Sequence, residues 1–385
     1  MQTQDKELYL LNTIRWISAA IVAGGHALAL VFKQPHLSPN NSFAENALVY
    51  CTDLGHAAVI LFFVLSGYLV GGSVLGRLGN FDFRFYAISR FSRIYIALIP
   101  AILLTVVLDG AAYLMAPDNP VYNTRWTGPV NQPVFDGYTA QNIVATLFSL
   151  ENVIGEPIGS ARPLWSLGYE WLFYMLFPCA ILAAGRLKLP VKYGHAVALG
   201  CICLVMAAFG KLYMMVFWTI WILGAYAKLA ADKGLVSPAI SRAGGAVAIL
   251  GFLASPVMEP RITDPLIGLS FAIFLANPIH LRGSLNRTAD RVLAGFSYSL
   301  YIVHLPLMIF LMLLFVNAGI ITTDRLELGL HGFWIWLVLM VAGTGLGALF
   351  GYLFENRTDE FRRFLLTKFG RSQRIPETTT SATTT

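Results

Sequence analysis

Ten apolar stretches recur along the chain, near 12–33, 57–76, 94–116, 164–184, 194–210, 211–230, 238–258, 262–281, 294–317 and 332–354. As helices, stretches of this length cross about 30 Å of hydrocarbon. Polar and helix-breaking residues separate them, so the pattern predicts an all-α polytopic membrane protein with about ten transmembrane helices. The longest interval, 117–163, is rich in Pro, Gly, Asn and aromatic residues. Within it, QNIVATLFSLENVIG (141–155) is too short to span and reads as an interfacial or re-entrant helix. Tyr122, Trp126 and Tyr138 in this interval suit stacking on sugar rings or anchoring at the membrane–water interface. In the tenth stretch, GTGLGALFG (343–351) imitates a dinucleotide fingerprint but follows no strand. Its Gly343, Gly347 and Gly351 have the four-residue spacing that lets helices pack closely in lipid.

Composition agrees with this reading: 56% of the 385 residues are hydrophobic and 12% charged, which excludes a water-soluble domain. Lys and Arg are distributed unevenly. With the N-terminus inside, only Lys33, Arg125, Arg162, Lys211, Arg261 and Arg325 of the 27 fall on the outer side. The positive-inside rule therefore predicts that both termini are cytoplasmic. The net charge of +6 faces the anionic inner leaflet and requires no nucleic acid. Cys51, Cys179, Cys201 and Cys203 lie in or beside apolar stretches without metal-ligand spacing, and no metal site is expected. The first apolar run is too long for a cleavable signal and is expected to remain as a helix. The expected organisation is one membrane domain over 1–356, then a basic and finally disordered cytoplasmic tail over 357–385 ending in PETTTSATTT.

Polar residues inside the apolar stretches carry the functional signal, because ionisable groups in lipid are costly. Arg15 and His26 share the first stretch. Eleven residues make about three turns, so both lie on one helix face roughly 16 Å apart. Ser66 follows in FFVLSGYL (62–69), and Arg84, Arg90 and Arg93 in FRFYAISRFSRIYIALIP (83–100). RPLWSLGYEWLFYMLFP (162–178) brings Trp165, Ser166, Glu170 and Tyr174; FSYSLYIVHLP (296–306) brings Tyr298, Tyr301 and His304. Counting residues inward from the span edges, His26 lies roughly 10 Å and Glu170 about 9 Å below the outer surface. Ser66 and His304 come out near the midplane, and Arg90 and Arg93 at the inner surface. Asp109 reaches the depth of His26 and rivals Glu170 as its carboxylate partner.

In this order and spacing the motifs resemble those of the acyltransferase 3 family of integral membrane O-acyltransferases. The most specific are Arg-x10-His, FFxxSG and WSLxxE; an Arg-x-x-Arg pair and the SYxxYxxH pattern belong to the resemblance as well, and it extends over essentially the whole chain. It implies a ten-helix core that takes an acyl group, usually acetyl, from cytoplasmic acyl-CoA as co-substrate, with no tightly bound cofactor. The implied acceptor is a hydroxyl of a cell-surface glycan, a lipid-linked sugar or a small secreted metabolite such as a macrolide. The implied location is the cell membrane, as a multi-pass protein of a bacterial inner membrane. The chain ends soon after its last span, without the extracytoplasmic SGNH-type domain of two-domain members, which disfavours peptidoglycan. On this reading His26 is the base for the hydroxyl proton, and Glu170 orients its imidazole. Arg90 and Arg93 pair with CoA phosphates, helped by Arg15. Ser66, Trp165, Tyr298, His304 and Asp109 are supporting candidates. A proton-coupled transporter using His26 and Glu170 as a relay is the alternative of another class.

Overall fold

The computed structural model describes residues 9–33, 42–123, 133–183, 212–322 and 324–369. Among them there is no strand, and only two isolated bridges occur, Phe32 with Leu326 and Glu151 with Gly155. Among the described residues, seven helices are long and apolar enough to cross a membrane by length and composition. The protein is therefore an all-α polytopic membrane protein. The expected span at 194–210, Trp126, Cys201, Cys203 and the sequence from 370 onward lie outside the described residues.

Helix α1 covers Tyr9–Val31 and α2 Phe43–Ser66. α2 begins fourteen residues before the apolar stretch that announced it, because Ser42 and Glu45 form a capping box that starts the helix in polar sequence. It continues without a break through a π-helical turn at Gly67–Gly71 and a last turn at Gly72–Leu75. Helix α3, Phe83–Met115, is likewise longer than its apolar stretch: Asp82 caps it, so Arg84, Arg90 and Arg93 all ride on one continuous helix.

Between α3 and the next long helix, a short helix α4 (Ala140–Leu147) is capped by Thr139 and belongs to a segment fastened to α3. The fastener is Asp109. Its carboxylate accepts hydrogen bonds from Tyr138 OH at 2.7 Å, Ser160 N–H at 2.9 Å and Ser160 Oγ at 2.7 Å. Gly159 has φ +47° and leaves no room for a side chain, since a Cβ there would lie 2.1 Å from Asp109 Oδ2. Asp109 is thus fully engaged in structure, and the suggested partnership with His26 is not formed.

Helices α5 (Trp165–Ala183), α6 (Leu212–Asp232), α7 (Pro238–Ala254) and α8 (Pro260–Leu275) follow. α2 and α6 approach closely through glycine: a Cβ on Gly67 would meet the Trp221 carbonyl, and one on Gly224 the Val64 carbonyl. The short α9 (Arg287–Gly295) docks on α1, where Trp16 Nε1–H donates to Asp290 Oδ1 at 2.9 Å and Ser284 Oγ donates to Oδ2 at 2.6 Å. Burial alone would raise the Asp290 carboxyl; these donors outweigh it and hold the group down at about 2.

Helices α10 (Ser297–Asn317) and α11 (Leu330–Leu353) pack along the glycine stripe: Gly343, Gly347 and Gly351 lie against Met308, Leu300 and Phe296. A final helix, α12, spans Thr358–Phe369. The basic part of the sequence after 357 thus opens as a helix, and the end expected to be disordered lies outside the described residues. In α12, Asp359 and Glu360 fall in the first turn and Lys368 in the last, which suits the helix dipole.

Candidate active site

His26, on α1, faces His304, on α10. Their rings stack nearly parallel, with centroids 5.1 Å apart, and His26 Nδ1 lies 2.8 Å from His304 Nε2. The other nitrogen of His304, Nδ1, is 2.9 Å from the Leu300 carbonyl. A carbonyl only accepts, so Nδ1 of His304 carries the proton and, in a neutral pair, Nε2 is its acceptor. Nδ1–H of His26 must then be the donor between the rings. This leaves the lone pair of His26 on Nε2. The chain of bonds assigns both tautomers, the job a carboxylate does in a triad.

The expected contact between His26 and Glu170 does not form. Residue counting along spans places two groups at one depth without placing them on facing sides. Glu170, on α5, turns instead to α2: its Oε1 accepts from Ser66 Oγ at 2.8 Å and from Tyr174 OH. Trp221 of α6 donates its Nε1–H to Ser66 Oγ at 3.0 Å. Tyr301 connects this cluster to the histidines. Its OH is 2.7 Å from Ser166 Oγ, and its ring lies 5.9 Å from Phe62 and 6.3 Å from His304, centroid to centroid. Trp165 packs against Tyr169 and Phe217, away from the histidine pair.

The arginines gather at the other end of this row. Arg93 Nη2 is 2.6 Å from Glu355 Oε1, and its guanidinium sits 5.7 Å from the Tyr298 ring. Glu355 Oε2 also accepts from the Ser299 N–H at 3.1 Å and Ser299 Oγ at 2.9 Å. One carboxylate therefore satisfies a first-turn amide of α10 and fixes Arg93 on α3. Arg90 lies between the rings of Tyr86 and Tyr174, at 6.0 and 5.9 Å, and its buried Nε has no hydrogen-bond partner. Arg15 interacts electrostatically with Arg93, Glu355, Tyr174 and Glu170. A cavity of about 350 Å³ opens here, lined by Ser89, Arg90, Arg93, Glu355, Asp359 and Arg362.

A family model described as an acyltransferase domain matches residues 8–353. The chain belongs to the acyltransferase 3 family. It is a membrane acyltransferase that transfers groups other than aminoacyl groups, and the transporter alternative falls away. No curated protein and no solved structure matches it.

Of the residues expected to matter, the fold brings Arg15, Arg90, Arg93 and Tyr298 to one end, Ser66 to Glu170, and His26 to His304. Asp109 and Trp165 stand apart from these groups. Sequence reasoning missed Glu355 and Trp221. Glu355 carried a usable signal: it is the first carboxylate after the tenth apolar stretch, in LFENR, on the flank where Lys and Arg are expected to predominate. Trp221 carried none, because a Trp in a transmembrane helix is ordinary packing material.

Proposed function

We propose that this acyltransferase moves an acyl group, acetyl in the first instance, from cytoplasmic acyl-CoA to a hydroxyl of a cell-surface or lipid-linked glycan. A small secreted metabolite, a macrolide among them, is the second class of acceptor. The observation that carries the donor assignment is the arginine-lined cavity, where the unpartnered Arg90 Nε leaves a buried donor for a ligand. Of the three arginines in that lining, Arg93 is paired with Glu355 and Arg362 with Asp359, which leaves the Arg90 guanidinium as the cation available to an anionic ligand such as a CoA phosphate. CoA acts as co-substrate and departs after each turnover.

His26 supports the acceptor half of the reaction. Its Nε2 lone pair takes the hydroxyl proton as the acceptor oxygen attacks the acyl carbonyl carbon, and His304 stabilises the imidazolium through the ring-to-ring hydrogen bond. A second cavity of about 460 Å³ offers the acceptor a polar wall of Asp136, Thr139, Gln141, Asn142 and Glu156. These are amide, hydroxyl and carboxylate groups that pair with sugar hydroxyls.

Membership of the family supports a bacterial inner membrane as the protein's location, and the Lys and Arg bias supports a cytoplasmic arginine end and an acceptor arriving from outside. Oriented proteoliposomes test this. Acetyl-CoA supplied only on the cytoplasmic face should acetylate an impermeant glycan confined to the outer face. Product formed only when both substrates share a face refutes transfer through the membrane.

A further inference from the structure

Ser66 sits between the two ends of the site and does more than pack. Its hydroxyl is placed among Glu170 Oε1 at 2.8 Å, Trp221 Nε1 at 3.0 Å and Tyr174 OH at 3.3 Å. An indole N–H only donates, so Trp221 occupies a lone pair of Ser66 and the Ser66 proton is left to point at Glu170. A hydroxyl donating to a carboxylate that a neighbouring phenol holds in place is the arrangement of an activated nucleophile. The backbone has been shaped for it. α2 widens into a π-helical turn directly after Ser66, and Gly67 lets the α6 backbone approach so closely that a Cβ would collide with the Trp221 carbonyl. π-Turns inside α-helices are frequent at functional sites.

Position agrees with chemistry. Tyr174, beside Arg90, lies one turn of α5 from Glu170; Ser166, bonded to Tyr301, lies one turn further. Four residues rise about 6 Å. Ser66 therefore stands about one turn from the arginine end and about one turn short of the level of the histidine pair. An acceptor oxygen that attacks an ester on Ser66 while giving its proton to Nε2 of His26 would enter that interval.

We propose that Ser66 carries the acyl group transiently as an ester, so that transfer proceeds in two displacements. This rests on the acyl-CoA reading above. In the first, Ser66 Oγ attacks the thioester carbonyl carbon while Glu170 takes the hydroxyl proton. The C–S bond breaks, and the CoA sulfur leaves with that proton as free thiol. In the second, the acceptor oxygen attacks the Ser66 ester carbonyl and gives its proton to His26. The ester C–O bond breaks, and Ser66 Oγ leaves with a proton returned from His26. Trp221 N–H stabilises the charge on Oγ in both steps. No oxidant or further reactant is needed.

A two-displacement enzyme exchanges labelled CoA into acetyl-CoA with no acceptor present. The purified chain in proteoliposomes, given acetyl-CoA and radiolabelled CoA, should show this exchange, and acid quenching should trap acetyl on the peptide containing Ser66. Ser66→Ala should reduce exchange to background while still binding acetyl-CoA in equilibrium dialysis, which shows that the variant is folded. Ser66→Cys should retain labelling, now as a thioester cleaved by neutral hydroxylamine. Exchange that persists in Ser66→Ala overturns the proposal, as does wild-type protein that binds acetyl-CoA without exchanging it; the latter result leaves the donor assignment intact. Wild-type protein that does not bind acetyl-CoA overturns the donor assignment and the proposal together.

Discussion

Replacing His304 by Ala tests the histidine pair more sharply than replacing His26, because His304 needs no contact with substrate. Its side chain is fully buried, accepts from His26 and donates to Leu300. In His304→Ala the Nδ1–H of His26 faces an apolar gap. Leaving a buried donor unpaired costs about 1–3 kcal/mol, and the tautomer with its lone pair on Nε2 is no longer favoured. If that energy falls on the transition state, at 1.36 kcal/mol per tenfold, kcat drops about 5- to 150-fold. Removing the base itself in His26→Ala should cost more, about 10²–10⁴-fold. His304→Gln retains an acceptor oxygen and should recover part of the loss. The assay is the initial rate of acetyl transfer in proteoliposomes, with circular dichroism to confirm folding. KM for acetyl-CoA should stay at the wild-type value, since the arginine cavity is untouched. A folded His304→Ala protein with wild-type kcat, or a change confined to the KM for acetyl-CoA, refutes the reasoning.

Two further outcomes follow from other contacts. Arg90→Ala and Arg93→Ala should chiefly raise KM for acetyl-CoA, and Glu355→Gln should reproduce the Arg93→Ala effect because it removes the charge that fixes that guanidinium; a Glu355→Gln enzyme with unaltered donor KM contradicts this. The Asp290 carboxyl is held at about 2 against an ordinary 3.8, so the stability it provides is complete above pH 3.8 and is lost as pH falls toward 2. The gap in unfolding midpoint between wild type and Asp290→Ala in detergent should therefore narrow across that interval, and a constant gap would contradict the assignment.

The hydrophobic pattern anticipated the helices that lipid selects, because a window of apolar residues measures the very property a bilayer demands. It failed where water rather than lipid decides. The first turns of α2 and α3 are built by Ser42, Glu45 and Asp82, which hydropathy counts as loop. α12 is amphipathic and never needed an apolar window. Site chemistry was legible to a similar depth. The arginines and His26 stood out because charge in an apolar run has few innocent explanations. Partner choice did not, since depth along a helix axis says nothing about azimuth: Glu170 shares a level with other groups yet turns toward Ser66. Glu355 lay beyond the apolar window and Trp221 looked like filling, so the two groups that orient Arg93 and Ser66 became visible only once helices distant in sequence were packed together.

Glu355 also sets the order in which this enzyme comes into being. It follows the last long helix, yet it neutralises Arg93 on α3 and completes the first turn of α10. A chain emerging from the ribosome must therefore insert α3 with Arg93 uncompensated, and hold it so while more than 250 further residues are made. The arginine end is thus complete only when the carboxylate that follows the last long helix has joined α3 and α10, and a chain cut short before Glu355 carries Arg93 without this partner.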